Sequence, residues 1–107
     1  MKKIKETLNE IFVGTVQDLK NATPDNRDKE ILRMAIIAEL DASNLYEQMS
    51  EIAIHPAVKK LLLDISKEEK VHVGEFEFLL ERLDPEHEES EEEGKEEAEE
   101  LTSDLWG

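Results

Sequence analysis

Lys67-Glu68-Glu69-Lys70-Val71-His72 is the stretch on which the reading of this chain turns. Glu69 and His72 stand three residues apart, a spacing that puts two side chains on one face of an α-helix. At about 100° per residue, that face also carries Val58, Leu62, Ile65, Val73, Phe76 and Leu80. An acid and an imidazole therefore lie inside an apolar stripe. Thirty residues upstream, Ala38-Glu39-Leu40-Asp41 repeats the situation. Glu39 shares its helical face with Leu32, Ala35, Ile36, Ala42, Ser43 and Tyr46.

Two carboxylates and an imidazole in apolar surroundings are costly unless they are paired, protonated or bound to a cation. One Glu plus one Glu-x-x-His is half of the ligand set that a dinuclear carboxylate bundle uses. Half a set on half a bundle predicts that two chains must meet to complete one metal site. Two copies would supply four carboxylates, enough to neutralise two divalent cations. Glu-x-x-His alone is a weak pattern on an acidic helix. Pairing of Glu69 with Lys or Arg, and a packing role for His72, stand beside the metal reading. Tyr46, two turns beyond Glu39, is either a hydrogen-bond partner for a ligand carboxylate or a packing residue. Glu68 and Glu75 fall to the side of the stripe, and Arg33 and Asp41 are ambiguous. His55 is expected to cap a helix, and His87 belongs to the acidic tail.

Outward from these residues the chain reads as all-α. A helix is expected from near Pro24 to near Ile52, with Pro in its first turn and Asp25 and Asp28 at its positive end. Its stretch Ile31–Ala38 is apolar on nearly every side, which points to burial on more than one face and to cover from another subunit. His55-Pro56 opens a second long helix, which Leu83-Asp84-Pro85 ends because a residue before Pro disfavours the helical conformation. The short connection makes the two an antiparallel hairpin. Ile4, Leu8, Ile11, Phe12, Val16 and Leu19 mark a further helix over about Lys5 to Lys20, weakened at Gly14 by about 1 kcal/mol. Three regions follow: an N-terminal helix (1–23), the hairpin (24–85) and an acidic tail (86–107) expected to be disordered. Leu101-Thr102-Ser103-Asp104-Leu105-Trp106-Gly107 regains apolar character, either as a docking peptide or as a frayed end or cut point.

With 107 residues the chain is one domain at most. It has no cysteine, which removes disulfides and thiolate metal sites and leaves carboxylate and imidazole as ligands. Such ligands suit iron, manganese or zinc better than copper(I). A net charge of −15 argues against nucleic acid. No window has the run of about 18 apolar residues that a membrane span needs. No apolar core follows the basic start at Met1-Lys2-Lys3, so a secretory signal is not expected and the reading is cytoplasmic.

The blocks Ala38-Glu39-Leu40-Asp41-Ala42-Ser43-Asn44-Leu45-Tyr46 and Lys67-Glu68-Glu69-Lys70-Val71-His72 resemble the encapsulated ferritins, cargo of, or fused to, encapsulin shells. The resemblance covers about Asp28 to Pro85. It implies a half-ferritin hairpin that dimerises into a four-helix ferritin-like bundle, with dimers forming a decameric ring. It also implies a di-iron ferroxidase centre on the dimer axis that oxidises Fe(II) to Fe(III), with storage inside an encapsulin nanocompartment. By motif position its metal ligands and catalytic residues are Glu39, Glu69 and His72, with Tyr46 beside them. Ala38 and Leu45 depart from the family pattern, where an acid and an aromatic help to build an outer metal-entry site. Only Asp41 remains for such a site here. Two other readings are a rubrerythrin-like di-iron peroxidase, for which the rubredoxin-type cysteines are missing, and a non-catalytic helical oligomer or cargo adaptor.

Overall fold

The computed structural model describes residues 19–106. The expected N-terminal helix lies almost wholly outside them. Among the described residues the chain is helical throughout: α1 spans Pro24–Ile52, α2 Pro56–Leu83 and α3 Pro85–Thr102, followed by a 3-10 turn at Ser103–Leu105.

Each helix begins at a proline in its first turn, where the missing N–H costs nothing. Thr23 caps α1 through its carbonyl, which accepts from the backbone N–H groups of Asn26 and Arg27. His55 caps α2 as expected: its Nδ1 accepts from the Ala57 N–H at 3.0 Å. Asp84 does double duty at the elbow between α2 and α3. Its N–H bonds the Leu80 carbonyl at 2.8 Å, and its Oδ1 accepts from the His87 N–H at 3.3 Å. Arg33 of α1 donates to Asp84 Oδ2 at 2.7 Å, so all three helices meet at this one carboxylate. Burial opposes ionisation of Asp84, but the His87 N–H and the Arg33 guanidinium outweigh it and hold the carboxyl below its usual range.

The expectation of a disordered tail is corrected here, because Pro85–Thr102 is helix. The physical reason is local. Asp84 supplies the cap, and Glu86 and Glu88 sit in the first turn, where the helix dipole favours negative charge. Lys95 then lies 3.5 Å from Glu91 and 3.6 Å from Glu92, and glutamate is itself a good helix former.

α1 and α2 pack along one another as the antiparallel hairpin. The seam is narrow. Leu32 and Leu80 are its buried apolar side chains, and Ser43, Ser50 and Ser66 its buried polar ones. Two helices cannot cover more than one face each. Leu45, Val71 and Phe78 accordingly remain more than half exposed. In the apolar stretch Ile31–Ala38, Leu32 faces the seam, while Ile31 and Ile37 are 44% and 51% exposed. No helix among the described residues is long and apolar enough to cross a membrane.

Candidate metal centre

The hairpin brings the three sequence-predicted residues together. Glu39 projects from the middle of α1, and Glu69 and His72 project from successive turns of α2. One ligand atom from each lies within 4.8 Å of the others. His72 Nδ1 is 3.2 Å from Glu39 Oε2 and 3.7 Å from Glu69 Oε2. The ordinary ion-pair alternative for Glu69 finds no Lys or Arg partner among the described residues, where the side chain 3.7 Å away is that of His72.

The cluster is half-buried rather than sealed. The side chains of Glu69, Glu39 and His72 are 17%, 24% and 45% exposed. Full burial, implied by the apolar stripes, would need cover that one hairpin lacks. Two carboxylates and one imidazole form a donor set of the kind that iron, manganese and zinc accept. In the absence of a cation, the Nδ1–H tautomer of His72 can donate to Glu39. The two carboxylates, Glu39 and Glu69, then have a single N–H between them. A divalent cation fits this set on both charge and donor type.

Other candidates fall where the spacing put them. Glu68 and Glu75 are exposed. His87 pairs with Glu91 at 3.7 Å, within α3 and apart from the cluster. Of the ambiguous pair, Arg33 serves the elbow and Asp41 is exposed, as are Ala38 and Leu45. Tyr46 is half-buried and hydrogen-bonds to no described residue.

Sequence reasoning missed a polar chain one turn from the cluster. Ser43 Oγ and Ser66 Oγ are 2.9 Å apart. Ser66 Oγ also reaches Glu47 Oε1 at 3.1 Å, and Lys70 Nζ donates to the same oxygen at 2.8 Å. Those bonds to Lys70 and Ser66 lower the pKa of Glu47. The available signal was the presence of Ser43 and Ser66 inside otherwise apolar faces.

A helical hairpin carrying a carboxylate–imidazole cluster at mid-length defines a class, the ferritin-like half-bundles. Comparison with known proteins narrows it. The rubrerythrin family signature matches residues 30–104. A ferritin-like–encapsulin shell fusion protein of Pyrococcus furiosus is 54% identical over a 90-residue alignment that covers 77% of this chain and 26% of that protein. The chain thus spans about a quarter of that relative. The crystal structure of the encapsulated ferritin domain from Pyrococcus furiosus matches with a TM-score of 0.74 at 52% identity, over 77% of this chain and 84% of that one. The chain belongs to the rubrerythrin family and, within that ferritin-like class, to the encapsulated ferritins.

Proposed function

We propose that this protein is a ferroxidase, with Fe(II) as its substrate and Glu39, Glu69 and His72 as the ligands that hold it. The observation that carries this reading is the convergence of the three side chains within 4.8 Å from two different helices. The kinship with an encapsulated ferritin domain supports it independently.

The cluster supplies three donors and is open on one side, which suits completion by a second hairpin. In the proposed dimer the two copies of Glu69 would be shared between two ferrous ions, and Glu39 and His72 of each protomer would hold one ion apiece. Each ferrous ion would give up one electron, so a pair, with one dioxygen and two protons, would yield hydrogen peroxide and two Fe(III) as mineral precursor. The protein's part is to hold: the carboxylates offset the charge of the ions, and His72 provides a neutral donor. The apolar residues around the stripe, covered by the partner, keep bulk water from the site.

The dimer is proposed to build up into the decameric ring that the family resemblance implies. An open ring does not enclose mineral, so storage is assigned to an encapsulin compartment. The shell domain named in the fused relative supports this partner and location.

Fe(II) added anaerobically and then exposed to air tests the proposal. Rapid growth of Fe(III) absorbance is expected, and its loss in Glu39→Ala and Glu69→Ala. Oxidation no faster than in protein-free buffer would overturn it. The rubrerythrin match favours one further reading, a di-iron peroxidase. Consumption of hydrogen peroxide in excess of oxygen would select it.

A further inference from the structure

The polar chain across the hairpin has a position that its chemistry alone does not require. Ser43 lies four residues after Glu39, and Ser66 lies three residues before Glu69. Both serines are therefore one helical turn from a cluster carboxylate, on the same faces. They are 3% and 2% exposed and face each other across the seam. Only small side chains permit helices to approach this closely. Ser66 Oγ lies 3.1 Å from the Ser43 carbonyl, and Ser43 Oγ lies 3.3 Å from the Ser66 carbonyl, so each hydroxyl reaches the backbone of the opposite helix.

A hydroxyl has one proton to donate. One consistent arrangement runs in a single direction: Ser43 donates to Ser66 Oγ, Ser66 donates to Glu47 Oε1, and Lys70 donates to that same carboxylate oxygen. The chain ends on a charge that Lys70 balances.

We propose that Ser43, Ser66, Glu47 and Lys70 are positioning residues that set the axial register of α1 against α2, and so the spacing of Glu39 from Glu69 and His72. Residues along a helix are about 1.5 Å apart, so a slip of one residue moves Glu39 by that amount. Metal–ligand distances tolerate only about 0.2 Å. Leu32 and Leu80 contribute apolar burial, which has no direction and does not by itself resist sliding. The directional bonds from Ser43 to Ser66, and from Ser66 and Lys70 to Glu47, cross between the helices and do resist it. This inference rests on Glu39, Glu69 and His72 being the metal ligands.

The test titrates Co(II) anaerobically into the full chain and records its visible absorption, at a concentration where all variants share one sedimentation profile. Removal of both hydroxyls in S43A/S66A leaves no stranded partner, so folding should survive. Co(II) should then bind about tenfold more weakly, the lower end of what loss of a ligand's supporting contacts costs, with an altered absorption band. Ser50→Ala is the control. Ser50 is also buried, but its Oγ bonds the Glu47 carbonyl within its own helix at 2.6 Å. It should leave affinity and spectrum unchanged. Glu47→Gln should move both readouts in the same direction as S43A/S66A by a smaller step, and it decides the matter if the double variant folds poorly. Wild-type affinity and spectrum in S43A/S66A, or in E47Q where that variant decides, would overturn the proposal, as would an equal loss in Ser50→Ala. Failure of the wild-type chain to bind Co(II) would instead overturn the ligand assignment beneath it.

Discussion

His72 Nδ1 stands 3.2 Å from Glu39 Oε2 across 33 residues of sequence, while its helical neighbour Glu69 is slightly farther away at 3.7 Å. His72 thus faces the opposite helix as much as its own. His72→Ala should remove a donor that ties the two halves of the cluster. Loss of a contact that merely supports a ligand costs about 10- to 100-fold in metal affinity or activity. Loss of a ligand should cost at least as much, and rapid Fe(II) oxidation should disappear. Stopped-flow Fe(III) absorbance checks this, and a wild-type rate would remove His72 from the site.

A second prediction concerns assembly. The cluster is open in one hairpin, and Leu45, Val71 and Phe78 are each more than half exposed. A cation bound between two copies stabilises the dimer by mass action, by about 2.7 kcal/mol when free metal is a hundred times its dissociation constant. Zn(II) or anaerobic Fe(II) should therefore shift sedimentation toward the dimer or higher species. Glu39→Ala plus Glu69→Ala should abolish the shift. Identical profiles with and without metal would separate assembly from binding.

The hairpin and the cluster were legible in the sequence because their signals are local. Pro24, Pro56 and Pro85 each begin a helix, and Glu69 and His72 share a face through their spacing. The acidic helix was not legible, because ten glutamates between Glu86 and Glu100 argue for disorder when composition alone is weighed. What decides it is Asp84, whose capping role depends on where α2 stops. The Ser43–Ser66 contact was hidden for a different reason. Spacing states which residues share a face of one helix, but not where two helices touch.

Asp84 anchors the third prediction. Its folded-state pKa is lowered, so its contribution is present above the ordinary carboxylate range and is lost as pH falls through the lowered value. Asp84→Ala should reduce the melting temperature by a few degrees at pH 7 and weaken the far-ultraviolet helical signal of α3. In acid the wild type should approach the variant. Equal melting curves at pH 7 would show that the elbow is held elsewhere.

Glu81 has the opposite sign. It lies on α2, with the charges of Glu91, Glu88 and Glu77 acting on it, and with His87 and Lys95 3.7 Å and 3.5 Å from Glu91. Burial, and then the charge of Glu91, raise its pKa. A hydrogen bond between the Glu81 and Glu91 side chains adds to the shift, since two carboxyls can share one only when one of them holds a proton. A raised folded-state pKa means stability that is full below the unfolded value and lost as pH rises through the folded one. Glutamine mimics the protonated acid at every pH. Glu81→Gln should therefore melt higher than wild type at pH 7 and above, and the two should converge in acid. Thermal unfolding followed by circular dichroism across that range checks it. A variant less stable than wild type at pH 7 would mean that the carboxylate is favourable there, and that α3 is not strained against α2 by like charge.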